Sequence, residues 1–137
     1  MEREKKRILL VEDEVIVAMT IEDSLLNMGY EVIGTVDNGL SAIEMTEREK
    51  PDLILMDIRI NGDMDGIEAV EEIKKKADIP VIFLTAHSDE ATISRVLKTN
   101  PYGFLVKPFR EKELYANIET AINRHRLLIK NSGDREE

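Results

Sequence analysis

Five short apolar runs alternate along the chain with five segments of helical pattern, and this alternation constrains the fold more than any other feature. Strands that alternate with helices predict a parallel sheet with right-handed crossovers and helices on both faces. The first, third and fourth runs are wholly apolar, which indicates central strands, whereas the second and fifth contain glycine and are expected at the edges. The runs are 8–11, 32–36, 53–56, 81–84 and 103–106.

These assignments fit the strand order 2-1-3-4-5 of a flavodoxin-like, doubly wound five-stranded sheet. This order is matched to a known arrangement, because the sequence pattern does not specify it uniquely. In the first helix, the spacing of Val17, Ala18, Ile21, Leu25 and Met28 predicts the core face. In the second helix, Leu40 and Ile43 are expected to face inward, with Met45 as a further candidate. The five helices are expected at 15–28, 39–50, 65 to about 77, 89 to about 98, and 111 to about 129.

Composition and length limit the possible classes of protein. A chain of 137 residues without cysteine predicts one domain without disulfides. The net charge of −9 argues against binding to the phosphate backbone of nucleic acids. No apolar run approaches the length that spans a membrane, so we expect a soluble cytoplasmic protein with no membrane partner. We divide the chain into a charged lead (1–6), one domain (7–124) and an extended fifth helix with a polar tail or linker stub (125–137).

Polar residues stand at the carboxyl ends of four expected strands: Glu12 and Asp13, then Asp57, Thr85 and Lys107. In the proposed strand order these ends share one edge of the sheet, where open α/β sheets bind ligands. Each residue alone has an ordinary explanation, such as a helix cap, a β-branched strand residue or a solvated lysine. Together they indicate phosphoryl transfer to a carboxylate, with Asp57 as nucleophile and the lysine and a bound Mg²⁺ neutralising charge.

On these motifs the sequence resembles a response-regulator receiver domain of two-component signal transduction, over roughly residues 7–124. The matching segments are Glu12-Asp13, Leu55-Met56-Asp57, Asp65-Gly66, Thr85-Ala86 and Lys107-Pro108-Phe109. The resemblance implies a regulatory phosphoacceptor rather than a turnover enzyme, with Asp57 phosphorylated. It also implies Mg²⁺ bound by Asp13, Asp57 and the backbone carbonyl of Arg59, with Glu12 acting through water. Lys107 would contact the phosphoryl group, next to a typically cis bond to Pro108.

The same resemblance implies a switch and a set of partners. Thr85 and Phe104 would couple phosphorylation to a face made of the fourth helix, fifth strand and fifth helix, although Phe104 is equally compatible with core packing. Arg59 and His87 would set the lifetime of the phosphoryl group, unless they are simply solvated. The phosphoryl donor would be a sensor histidine kinase or histidine phosphotransfer protein, and the output a downstream protein or self-dimer.

A second apolar stripe on the first helix, formed by Ile16, Met19 and Leu26, lies off its predicted core face. Exposed apolar stripes often mark partner surfaces. We therefore predict that this stripe docks the kinase, with partial burial under neighbouring side chains as the alternative.

The sequence departs from the family at Asn61, where proline is common, and the loop to Asp65 is one residue longer than usual. Asp63 and Asp65 in that loop are interpreted as solvating and helix-capping residues rather than as extra ligands.

Three other classes fit less well. A haloacid dehalogenase phosphatase wants a second aspartate two residues after Asp57, where this chain has Arg59. A flavodoxin needs a phosphate-binding loop where Glu12 and Asp13 would repel phosphate, and a dinucleotide-binding enzyme needs a glycine motif that is missing after the first strand. An interaction module with a degenerate site stays open until phosphorylation is assayed.

Overall fold

The computed structural model describes residues 4–86 and 89–136, the last six of these by their backbone alone. Five strands form one parallel sheet in the order β2-β1-β3-β4-β5, so the predicted fold class and both edge strands are confirmed. The elements are β1 (Arg7–Val11), α1 (Val15–Asn27), β2 (Glu31–Val36), α2 (Gly39–Glu49), β3 (Leu53–Asp57), α3 (Gly66–Lys74), β4 (Val81–Thr85), α4 (Glu90–Leu97), β5 (Gly103–Val106) and α5 (Glu111–Glu136).

Two apolar clusters cover the two faces of the sheet. Because successive side chains of a strand point to opposite faces, Leu10 and Leu55 pack with α1 and α5, whereas Leu9 and Ile54 pack with α2, α3 and α4. β1 and β3 contribute to both clusters, which explains why their runs are apolar without alternation. The helices therefore cover both faces of the sheet.

The predicted core face of α1 is correct, since Ala18, Ile21 and Leu25 are buried and Val17 and Met28 pack against them. The prediction for Leu40 is wrong: its side chain is 68% exposed. Ile43 and Met45 are half-buried against the cluster on the face of the sheet that α2 covers, as predicted, and the fully buried side chains of α2 are those of Ala42 and Thr46, one turn apart. Leu40 lies two residues before Ala42 and so points about 200° away around the helix.

The ends of two helices also differ from the prediction. α3 ends at Lys74 rather than near Ala77, because the chain turns there, with the amides of Lys76 and Ala77 both bonded to the Ile73 carbonyl. α5 continues past Ile129 to Glu136 without interruption. The boundary between residues 124 and 125 therefore does not coincide with a break in the helix, and it stays a prediction. Among the described residues, none of the helices is long and apolar enough to cross a membrane.

Candidate functional site

The carboxyl ends of four strands bring the predicted polar residues to one edge of the sheet. Asp57 is the last residue of β3 and Thr85 the last residue of β4. Glu12 and Asp13 follow β1, and Lys107 follows β5. The strands are parallel and adjacent in the order β1-β3-β4-β5, so their register alone carries these side chains to the same edge.

Lys107 joins two of the acids directly. Its Nζ donates to Glu12 Oε1 at 2.6 Å and to Asp57 Oδ2 at 2.9 Å. Asp57 is 4% exposed and Glu12 is 2% exposed, so both carboxylates have lost most of their hydration. A buried carboxylate is costly unless a counter-charge and hydrogen bonds replace water, and the ammonium of Lys107 provides both.

Asp13 completes an acidic group with Glu12 and Asp57, in which one carboxylate oxygen of each lies within 4.8 Å of the others. If all three are ionised, Lys107 balances one charge and two negative charges remain in excess. An all-oxygen donor set with this excess suits a hard divalent cation such as Mg²⁺, which needs few protein ligands because it keeps several waters. The residues present therefore fit the predicted cation.

The titration of the site reflects its burial. Burial raises the pKa of Glu12 above its ordinary value of 4.5, and the neighbouring Asp57 adds to that shift while Lys107 opposes it. Burial likewise raises the pKa of Asp13, helped by the charge of Glu12. Burial acts to lower the pKa of Lys107, but its hydrogen bonds to Glu12 and Asp57 outweigh this effect and raise it. Lys107 therefore carries its charge at neutral pH.

Gly66, the first residue of α3, permits a close approach to the backbone of Asp57. A Cβ atom at this position would lie 2.1 Å from the carbonyl oxygen of Asp57, a fixed backbone atom. The amide of Gly66 also donates to the carbonyl of Ile58 at 2.7 Å. The Asp65-Gly66 motif was visible in the sequence, but this packing role was not, because it depends on how α3 crosses the end of β3.

Thr85 and Phe104 lie on the same face of the sheet. Phe104 is paired in register with Phe83, and Thr85 with Val106, so these four side chains point toward α4. Thr85 is buried and Phe104 is half-buried against the cluster on that face. The peptide bond between Lys107 and Pro108 is cis, as the family resemblance implied.

The other predicted residues that the structure describes are exposed. Arg59 is exposed in the loop after β3, whereas His87 lies outside the described residues. Ile16, Met19 and Leu26 are 78%, 58% and 59% exposed. All three side chains are more exposed than buried, and the docking role of this stripe stays a prediction.

The loop between β3 and α3 is ordered by hydrogen bonds at Asn61 and Asp65. The amide of Asn61 donates to the carbonyl of Asp37 at 3.0 Å. Asp65 caps α3 in a reciprocal arrangement with Glu68, which confirms its predicted role, and it also pairs with Arg95 of α4 at 2.8 Å. Asp63 is exposed.

Comparison with known proteins decides the family. The sequence profile of the response regulator receiver domain matches residues 8–119. The chain belongs to this family. It is 36% identical over 129 residues to the transcriptional regulatory protein PdtaR of Mycobacterium tuberculosis, covering 94% of the chain and 62% of that protein. It is 37% identical over 124 residues to the probable transcriptional regulator ycf27 of Cyanophora paradoxa, covering 90% of the chain and 51% of that protein. The chain thus spans between half and two thirds of the length of these relatives.

Solved structures agree with this placement. The signal receiver domain of a modulated diguanylate cyclase from Desulfovibrio desulfuricans G20 superposes with a TM-score of 0.86 and 35% identity, covering 90% of the chain and 98% of that domain. The N-terminal domain of a response regulator/sensory box/GGDEF three-domain protein from Carboxydothermus hydrogenoformans superposes with a TM-score of 0.83 and 34% identity. The match covers 90% of the chain and 99% of that domain. The chain is therefore a receiver domain of two-component response regulators, a regulatory class of domain.

Proposed function

We propose that this receiver domain accepts a phosphoryl group on Asp57 in a Mg²⁺-dependent reaction and passes the signal on by a change of shape. The observation that carries the proposal is the buried bridge from Lys107 to Asp57 and Glu12, with bonds of 2.9 Å and 2.6 Å. This arrangement supports phosphoryl chemistry better than a purely structural role. A structural ion pair would need neither a third acid, Asp13, nor a position at the carboxyl ends of the strands.

The donor in this proposal is the phosphohistidine of a sensor histidine kinase or histidine phosphotransfer protein. A carboxylate oxygen of Asp57 forms a bond to phosphorus as the P–N bond of the donor breaks, and the bonding electron pair leaves with the imidazole nitrogen. Hydrolysis reverses the state: water attacks phosphorus, the P–O bond to Asp57 breaks, and the carboxylate and inorganic phosphate are released. The domain thereby assists its own phosphorylation and dephosphorylation without turning over a metabolite.

Each residue at the edge has a role in this reaction. When bound, Mg²⁺ would neutralise charge on the transferring phosphoryl group. Asp13, Asp57 and the backbone carbonyl of Arg59 would hold the cation, with Glu12 acting through water. Lys107 is poised to exchange its contact with Asp57 for one with a phosphoryl oxygen, and the hydroxyl of Thr85 can donate to another.

Phosphorylation would change the face formed by α4, β5 and α5, which would bind the downstream partner. Thr85 and Phe104 share the side of the sheet that faces α4, so a shift of the hydroxyl toward the phosphoryl group leaves room for the aromatic ring to move inward. Leu97 and Val106 are 64% and 43% exposed on this face. They offer apolar surface to a downstream protein or to a second copy of the chain.

The donor would bind along α1, the helix that begins two residues after Asp13, where Ile16, Met19 and Leu26 form an exposed apolar stripe. Arg59, and His87 beyond the described residues, would restrict the path of attacking water and so lengthen the lifetime of the phosphoryl group.

We place this reaction in the cytoplasm, where histidine kinases present their phosphohistidine. We propose no nucleic acid or membrane as a direct partner, in keeping with a net charge of −9.

Intact mass spectrometry tests the proposal. The chain is incubated with acetyl phosphate and Mg²⁺, beside a chelator control and the variants Asp57→Ala and Asp52→Ala, the second an exposed aspartate before β3. One added phosphoryl group is expected in the wild type and in Asp52→Ala, and none with chelator or in Asp57→Ala. An adduct that survives in Asp57→Ala would contradict Asp57 as the acceptor, and no adduct with either a small or a phosphohistidine donor would favour a module that signals by binding alone.

A further inference from the structure

We infer that Asp37 and Asn61 form a latch that positions the β3–α3 loop, which makes Asp37 a positioning residue for cation binding at the acidic edge. This inference rests on the proposed function, because the backbone carbonyl of Arg59 enters it as a ligand of the cation. Asp37 itself follows β2 and lies on the opposite side of the site from Lys107.

The latch consists of both backbone and side-chain contacts. The amide of Asn61 donates to the carbonyl oxygen of Asp37 at 3.0 Å, and Asn61 forms an isolated parallel bridge with Asn38. Asn61 Nδ2 donates to Asp37 Oδ2 at 3.4 Å, and Asn38 Nδ2 donates to Asp37 Oδ1 at 2.8 Å. Each oxygen of the Asp37 carboxylate thus accepts a hydrogen bond from one asparagine.

The side of the latch that carries Asp37 is itself fixed. Asn38 caps α2, since its Oδ1 accepts from the amide of Ser41 at 2.9 Å. On the other side of Asp37, the carbonyl of Val36 accepts from the amide of Glu12 at 2.9 Å. Asp37 therefore stands between an anchored helix start and the end of the strand that borders the acidic site.

The loop is held at two points, and Arg59 lies between them. The amide of Ile58 donates to the carbonyl of Leu84 at 3.2 Å, and the carbonyl of Ile58 accepts from Gly66 at 2.7 Å. Asn61 provides the second point through Asp37, and the chain then turns at Gly62 with φ +94°, a left-handed conformation suited to glycine. With both flanks fixed, the carbonyl of Arg59 has little freedom, so a cation can use it without first ordering the loop.

The identity of residue 61 permits both of its hydrogen bonds to Asp37. A proline at this position would have neither a backbone N–H nor a side-chain amide, and so could donate neither bond to Asp37. The β3–α3 loop is thus restrained by hydrogen bonds to the end of a neighbouring strand rather than by a ring in its own backbone.

Calorimetric titration of the full chain with Mg²⁺ tests the latch. Asp37→Ala and Asn61→Ala are each expected to weaken Mg²⁺ binding by roughly two- to tenfold, the value of one net hydrogen bond. Asp37→Asn removes the charge and keeps one of the two acceptor oxygens, so it is expected to weaken Mg²⁺ binding less than Asp37→Ala does. Asp63→Ala removes an equal charge from the β3–α3 loop without removing a hydrogen bond to any described residue, and serves as the matched control.

Two results would overturn the inference: unchanged Mg²⁺ affinity in Asp37→Ala and Asn61→Ala, or equal weakening in Asp37→Asn and Asp37→Ala, which would assign the effect to charge alone. If a variant does not fold, hydrogen exchange of the Asn61 backbone amide in the wild type decides instead. Slow exchange supports the latch, whereas exchange at the rate of an unstructured loop contradicts it. Phosphorylation of the wild type separates the two proposals. An Asp57 adduct that is missing with both acetyl phosphate and a phosphohistidine donor contradicts the proposed function, whereas the Mg²⁺ titrations test the latch.

Discussion

Lys107 and Glu12 are 95 positions apart in the sequence, yet Lys107 Nζ donates to Glu12 Oε1 at 2.6 Å. The same ammonium reaches Asp57, which makes Lys107 the common partner of two buried carboxylates from different strands. The charge balance of the site, its affinity for a cation and the position of Asp57 all depend on this one side chain.

Replacing Lys107 is expected to slow phosphorylation of Asp57. Lys107→Ala removes a charged donor that stabilises negative charge near the reacting carboxylate, and such losses reduce rates by about a hundredfold. The rate is measured by intact mass against time with acetyl phosphate and saturating Mg²⁺. Lys112→Ala, which removes an exposed lysine from the first turns of α5, is the control. Equal rates for all three proteins would show that Lys107 has no part in the reaction.

A methyl group at Gly66 is expected to destabilise the domain. In Gly66→Ala the new Cβ would meet the Asp57 carbonyl at 2.1 Å, and overpacking of this kind costs about 1–3 kcal/mol or more. Urea unfolding measures the change in the free energy of unfolding. Gly29→Ala is the comparison, because its φ of +90° is strained for alanine but its Cβ would meet nothing within 4 Å. Unchanged stability in Gly66→Ala would mean that β3 and α3 separate easily.

The pH dependence of stability is expected to reveal Glu12. Folding raises the pKa of Glu12 above its ordinary value of 4.5. The stability that this shift adds to the folded state is fully present below pH 4.5, and it is lost as the pH rises through the folded-state pKa. In chelator, Glu12→Gln should therefore gain stability relative to wild type as pH rises toward neutral, and Mg²⁺ should narrow the difference by stabilising the ionised wild type. Thermal unfolding of both proteins across pH gives the measurement. A difference that is independent of pH would contradict this assignment.

Charged residues on α1 are expected to separate two phosphoryl donors. Ile16→Glu or Met19→Glu should block transfer from a phosphohistidine protein, because a carboxylate would have to be desolvated in the apolar contact. Phosphorylation by acetyl phosphate should be unaffected, since both side chains are exposed and outside the acidic group. Leu128→Glu places the same change on an exposed residue of α5 as a control. Loss of phosphorylation with both donors would indicate misfolding instead.

The difference between the two leucines at positions 40 and 25 shows where pattern reasoning succeeds and where it fails. Leu25 belongs to a stripe of several apolar residues at helical spacing, and it is fully buried. Leu40 stood in the first turn of α2 beside few apolar residues, and the face chosen by packing was that of Ala42 and Thr46. Several apolar residues at helical spacing identify the buried face of a helix, whereas a helix with few apolar residues is oriented by the elements that pack against it.

The sequence by itself determined the alternation of strands and helices and the polar residues of the site, whereas the strand order was matched to a known arrangement. Unbroken apolar strands require cover on both faces, which specifies alternating helices, and the parallel sheet then carries Glu12, Asp57, Thr85 and Lys107 to one edge. Only the tertiary structure decided how these groups are connected: that Lys107 bridges two acids, that Gly66 touches the backbone of Asp57, and that Asn61 is bonded to Asp37. Local patterns record which side of an element is buried, but contacts between distant segments depend on register and loop path, which are settled only when the whole chain packs.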